Sequence, residues 1–296
     1  MKLKTTSQEN CGLSSKPRPY WHVNVKWITG ILLFFVLGLT LLTYNLVQIT
    51  NEQPAVEAVT TALALSFSPQ GLDDEKDVNL FIQQLRQSPN NSLQPIPGLK
   101  IIIKESDIAG LSPKETRLYL FRQIAKPLYW QGPEGLIALT DDLATKQKMA
   151  EGLGPISILT LKTHQTLNKI FIVLLIISLA LFLPLVLFSN RFGRLASPGL
   201  VILTASLPGT IVFNFIGIVL RSNNINQPPT AATGPSGTIG YMAANALPPM
   251  VSIIARNYLF FLILGLVLIF LALAGKIVWR LGKRKADQEV NIEPAA

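Results

Sequence analysis

The stretch IFIVLLIISLALFLPLVLFS, residues 170–189, contains no Asp, Glu, Lys or Arg. As a helix rising 1.5 Å per residue, twenty residues cover about 30 Å, the hydrocarbon thickness of a bilayer. Three other stretches share this character: 27–49, 196–220 and 258–279, the last carrying Lys276 in its final turn. Together they explain why the chain of 296 residues is 49% hydrophobic and only 15% charged. A soluble domain carries roughly 25% charged residues. Mean hydropathy is +0.39. A soluble globular enzyme and a disordered chain are excluded. The expected fold class is a polytopic α-helical membrane protein with four transmembrane helices and a helix-rich α+β extracytoplasmic domain between spans one and two.

The formal net charge of +9 suggests nucleic acid at first sight, but its placement points elsewhere. Lys2, Lys4, Lys16, Arg18 and Lys26 precede the first span against Glu9 alone. Arg191 and Arg194 occupy the short connection between spans two and three. Lys276, Arg280, Lys283, Arg284 and Lys285 face Asp287, Glu289 and Glu293 at the end of the fourth. Short basic flanks mark the cytoplasmic side, and all three fall on one side of the predicted threading. Arg221 and Arg256, at the edges of the other loop, are the counter-evidence.

The expected order is therefore a cytoplasmic basic tail 1–26, span 27–49, an extracytoplasmic domain 50–169 and span 170–189. A short cytoplasmic loop 190–195, span 196–220, a Gly/Pro-rich outer loop 221–257, span 258–279 and a cytoplasmic tail 280–296 follow. Both termini are predicted cytoplasmic, in a multi-pass protein of the cell (plasma) membrane. The first span reads as an uncleaved anchor, because its apolar core exceeds that of a signal peptide and no small-x-small site lies directly behind it. Cys11 is the only cysteine, so the outer domain holds together by packing without an intrachain disulfide.

Within 50–169, Asp73, Asp74 and Glu75 precede Val78, Phe81, Ile82 and Leu85 at helical spacing, which predicts a helix of about four turns. Residues 99–103, rich in isoleucine, read as a short strand. Ser112-Pro113-Lys114-Glu115 is a capping box with proline at the first helical position. The helix it opens places Leu118, Leu120, Phe121, Ile124, Ala125 and Leu128 on one arc and is expected to stop near 127–130. A further helix is expected over 141–151. Whether 50–68 extends the first helix or forms a core segment stays open at this level.

Chemistry-bearing patterns are sparse. His22 and His164 are the only histidines and are predicted on opposite sides of the membrane, so no zinc site or Ser-His-Asp arrangement is expected. The acidic run at 73–77 lacks the glycine and distal glutamate of a calcium loop, and Asp141 beside Asp142 points two carboxylates in different directions. The chain is expected to be no enzyme, to need no cofactor and no metal, and to bind no nucleic acid. Arg117, Arg122, Lys126 and Trp130 are the candidate contacts for a partner or for lipid headgroups.

In the third span Ser206, Thr210 and Asn214 recur every four residues, with Gly217 close to the same line. They form a candidate helix interface or pore seam. Pro184 and Pro208 are expected to kink their helices. Residues 222–255 hold no charge, and Pro228-Pro229, Gly234-Pro235 and Pro248-Pro249 are expected to break any long helix there. This loop is expected either to enter the interface, cap the bundle or pack on the outer domain, or to be an inert flexible connection.

The span order, with both ends inside and a large first outer domain, resembles the permease subunit of the cell-division ABC transporter and its mechanotransmission relatives. The resemblance covers span order only. The connection Asn190-Arg191-Phe192-Gly193-Arg194 is too short for the coupling helix of that group. The expected function is an integral membrane scaffold, assembly factor or accessory subunit whose extracytoplasmic domain binds other membrane or envelope proteins. The alternatives are a membrane sensor or transmission protein, and an oligomeric transporter subunit.

Overall fold

The structure, a computed structural model, describes residues 21–66, 72, 75–95, 99–140, 158–189, 192–222 and 234–290. Cys11, Asp73, Asp74, Arg191, the expected helix 141–151 and the Pro228-Pro229 pair lie outside the described residues. Among the described residues the chain is mostly helical, and four helices are long and apolar enough to cross a membrane. These are α1 (Trp21–Ile49), α7 (Leu161–Leu187), α8 (Gly193–Ser222) and α9 (Gly234–Val290).

The four helices pack side by side, chiefly α8 on α9 and α1 on α7. Glycines bring α8 and α9 together. A Cβ on Gly265 would stand 2.8 Å from the Leu203 backbone nitrogen, and one on Gly199 would stand 3.1 Å from the Gly265 carbonyl oxygen. Gly209 is covered by the Tyr258 ring, which stacks on Phe213 at 5.7 Å. Such contacts hold helices in lipid, where apolar burial offers no preference for protein over acyl chains. Buried polar pairs add to them: Thr40 Oγ1 lies 2.9 Å from Ser178 Oγ across α1 and α7, and Asn257 Nδ2 donates to Asn45 Oδ1 at 3.0 Å across α1 and α9. The outward faces carry exposed Phe35, Ile176, Phe215 and Phe270, as lipid contact requires.

The domain inserted between α1 and α7 contains α2 (Glu52–Ser66), α3 (Glu75–Gln87), β1 (Ser92–Leu93), β2 (Ile103–Lys104), α4 (Glu105–Ile108), α5 (Pro113–Gln131) and α6 (Pro133–Ile137). Leu85, Leu99, Ile103, Ala125 and Leu128 form the centre of its core, with Val59 and Ala64 of α2 and Tyr129 at its edge. The capping box forms as expected: Glu115 N donates to Ser112 Oγ at 3.3 Å and Ser112 N to Glu115 Oε2 at 2.9 Å. Ser112→Ala is expected to cost about 1 kcal/mol, measured by thermal unfolding of the full chain in detergent. The hydrogen bonds from Ser112 hold the Glu115 carboxyl below its ordinary value. Its contribution is complete above the unfolded glutamate value and disappears as pH falls through the lowered folded one.

The alternative left open for 50–68 falls to a separate core segment over the described residues: α1 ends at Ile49, and α2 starts at Glu52 after a joint at Thr50 and Asn51. Other expectations are corrected. The strand expected over 99–103 shrinks to an antiparallel pairing of Ser92 with Lys104 and Leu93 with Ile103, plus a bridge from Leu99 to Thr140. The regular secondary structure of the domain is thus nearly all helix among the described residues. Helix α5 ends at Gln131, one residue past the expected range, and it passes Pro127 with Leu128 and Tyr129 buried beyond it, which offsets the lost backbone bond. It stops at Gly132, whose φ of 67° suits a residue without Cβ and whose N–H reaches the Leu128 carbonyl at 2.9 Å.

The largest departure concerns the expected loop 221–257. From Gly234 onward it is part of α9, which continues through Pro248 and Pro249. Each proline fits the helical φ but removes a backbone hydrogen bond and crowds the carbonyl four residues earlier. Burial of Met250, Val251 and Ile254 between neighbouring helices compensates. Helix α7 likewise begins at Leu161, nine residues before the expected span, and is capped by Thr160, whose Oγ1 accepts from Thr163 N.

Candidate functional site

The chemistry of the chain concentrates where α1 leaves the apolar bundle. Thr50 is buried there and ties three elements together. Its Oγ1 donates to the Leu46 carbonyl at 2.7 Å and stands 3.3 Å from His164 Nδ1 of α7. Its carbonyl accepts from Tyr129 OH of α5 at 3.2 Å. Burial, with the nearby Glu52 charge second, pushes the Tyr129 phenol up, so it remains a neutral donor. Trp130 stands edge-on to Tyr129 at 5.7 Å, and its Nε1 donates to Glu52 Oε1 at 3.1 Å. Helix α2 is therefore held from its first residue, packed against α5 on one side and the start of α9 on the other.

Two clefts open beside this joint. The first, about 620 Å³, runs between α2 and α5 and is lined by Asn51, Glu52, Gln53, Glu57, Arg122 and Lys126. The second, about 290 Å³, lies between α2 and α9 and shares Asn51, Gln53 and Glu57 with the first. Its other wall carries Pro249, Met250, Ile253 and Arg256. Glu57 stands at the partition, with cationic side chains in the cleft on each side. This gives Arg256, anomalous as a flanking charge, a specific place in the fold.

Of the four residues singled out from the sequence, the structure brings three to this region. Arg122 and Lys126 are exposed one turn apart and line the first cleft, and Trp130 is 51% exposed next to it. Arg117 is different: it is 4% exposed and sits on the core-facing side of α5 with Phe121, Ile124 and Leu128. It does not share the surface of the other three. Spacing already carried this signal, since 117, 121, 124 and 128 follow the helical repeat. Glu52, Glu57 and Arg256 had no local signature linking them, because their meeting depends on the packing of α2 against α5 and α9.

The seam on α8 faces α9. Ser206 is fully buried and returns its hydroxyl to the Ile202 carbonyl at 2.8 Å. Thr210 Oγ1 bonds the Ser206 carbonyl at 3.0 Å, and Asn214 Nδ2 the Thr210 carbonyl at 2.7 Å. Asn214 and Gly217 border a gap of about 110 Å³ closed by Pro248 and Val251 of α9. The three polar seam side chains are thus bonded back to their own helix, with Ser206 buried and Asn214 exposed at the edge of the gap.

No family model matches this chain, and neither does any curated protein or solved structure.

Proposed function

We propose that the chain is an integral membrane scaffold or accessory subunit of the cell membrane, whose inserted domain lies outside the cytoplasm and docks another membrane or envelope protein. The orientation is supported by the basic flanks, which collect at one end of the bundle. Phe192 meets Trp279 at 6.4 Å there, and a methyl group on Gly193 would stand 4.0 Å from Lys26 Nζ. By the positive-inside rule that end is cytoplasmic, which puts both termini inside and the inserted domain outside.

The observation that carries docking is the rigid mounting of the domain. Helix α2 is clamped between α5 and α9, so the side built from α3 and the strand pair is presented at a set orientation. The domain carries Leu80 of α3 at 58% and Ile102, next to β2, at 67% exposure, large apolar groups left in water. Exposed apolar groups of this kind suit a protein contact. A proximity cross-link on the full chain in membranes, identified by mass spectrometry, tests it. The expected result is one partner captured by the native chain and reduced at least tenfold by Leu80→Asp with Ile102→Asp. Capture unchanged by the double variant, or only self-capture, overturns the reading.

A second reading, a transmission protein, draws on α9 alone. Its 57 residues correspond to roughly 85 Å of helix. They run from the contact with α2 through the apolar bundle to the basic end, so displacement of the domain has a direct mechanical route across the membrane.

A further inference from the structure

We propose that the paired clefts around Glu57 hold the headgroup of a zwitterionic phospholipid with a primary ammonium, of the ethanolamine type, from the outer leaflet. The proposal goes beyond partner docking and rests on the four apolar helices crossing a bilayer and, for the leaflet, on the orientation proposed above. The clefts open immediately past Ile49, where α1 leaves its apolar course, with half-exposed Trp130 beside them. Trp at that depth is the usual marker of the headgroup layer. A cleft of about 620 Å³ is also ample for a small headgroup.

The charges point to the ligand. Arg122 and Lys126 share a cleft with Glu57, and Glu57 shares the next with Arg256. Among the described residues, Arg122, Lys126, Arg256 and Glu57 make no hydrogen bond or ion pair; the ion pair that forms is Arg86 with Glu105. Both signs therefore line one space without neutralising one another. A ligand carrying a phosphate and an ammonium a few ångströms apart satisfies both at once: guanidinium and lysine ammonium to phosphate oxygens, carboxylate to the ligand's N–H groups. A trimethylammonium group is recognised by aromatic cages, whereas the wall here is carboxylate and amide, from Glu57, Asn51 and Gln53. A purely anionic headgroup leaves Glu57 facing like charge. The apolar side of the second cleft, with Ala58, Pro249, Met250 and Ile253, offers the glycerol and first methylenes a way back to the bilayer.

The test is native mass spectrometry of the full chain in detergent, titrated with phosphatidylethanolamine, phosphatidylcholine and phosphatidylglycerol of matched acyl chains. Phosphatidylethanolamine is expected to bind at least tenfold more tightly than phosphatidylcholine. Arg122→Ala with Lys126→Ala should weaken it about tenfold. Glu57→Gln should erase the preference over phosphatidylglycerol while leaving the melting temperature unchanged, since these side chains belong to no core. Equal affinity for the three lipids overturns the proposal, as does a phosphatidylglycerol preference in the native chain. Soluble glycerophosphoethanolamine distinguishes the sources: it should compete only at concentrations far above the lipid, and competition at equal concentration assigns the clefts to a free solute instead. Partner capture in the cross-linking experiment is independent of these readouts, so either proposal can fail alone.

Discussion

Gly265→Val is expected to push α8 away from α9 and to destabilise the bundle by about 3 kcal/mol, the upper range for overpacking a close contact. The atoms in the way are backbone: the Leu203 nitrogen at 2.8 Å, the Gly199 carbonyl oxygen at 3.0 Å and the Leu203 Cα at 3.0 Å from the added Cβ. A side chain can rotate aside, but a helix backbone moves only as a body. Separation would also loosen Gly209 from the Tyr258 ring and the stacking of Phe213 on that ring. The control is Gly38→Val, in the apolar part of α1, where an added Cβ meets nothing within 4 Å. Unfolding of both variants by sodium dodecyl sulfate titration in mixed micelles decides the matter. Equal midpoints for the two would show that the glycine contact contributes nothing.

The second large effect is expected for Leu128→Ala, at about 3 kcal/mol in the inserted domain. Leu128 is fully buried at the centre of the core with Leu85 and Leu99, and truncation leaves a cavity that surrounding helices can fill only in part. It also lies just past Pro127, where α5 depends on burial to continue. Hydrogen exchange of the full chain should therefore rise most over 113–131 and remain low in α7 and α8. Leu111→Ala, at 37% exposure, is the reference and should change stability by less than about 0.5 kcal/mol. Uniform exchange throughout the chain after Leu128→Ala would mean that the domain and bundle unfold as one unit.

These two variants also separate what is local from what is not. The Ser112 cap, the four apolar stretches and the helical repeat of α3 are written in neighbouring residues: the cap and α3 form where the pattern puts them, and each apolar stretch falls wholly or largely within a helix, two of which start well before it. Reading Arg117 as a surface contact overlooked the same repeat: four residues before Phe121, it belongs to the buried face. The continuation of α9 through Pro248 and Pro249 was not legible in this way. Local propensity argues for a stop at each, and only burial of the residues beyond reverses the balance.

Composition and periodicity by themselves determined that the chain has four helices able to cross a membrane, a small inserted domain after the first, and basic flanks beside three helix ends. These are properties of contiguous residues, for which chain spacing and spatial spacing coincide. Tertiary structure alone decided that α2 sits between α5 and α9, that Glu57 stands between Arg122 and Lys126 on one side and Arg256 on the other, and that the α8 seam faces a helix. Its ties cross long stretches of chain: Asn257 to Asn45 over 212 residues, His164 to Thr50 over 114, Trp130 to Glu52 over 78. Such contacts form only when whole helices find their packing partners, and no local pattern specifies that choice.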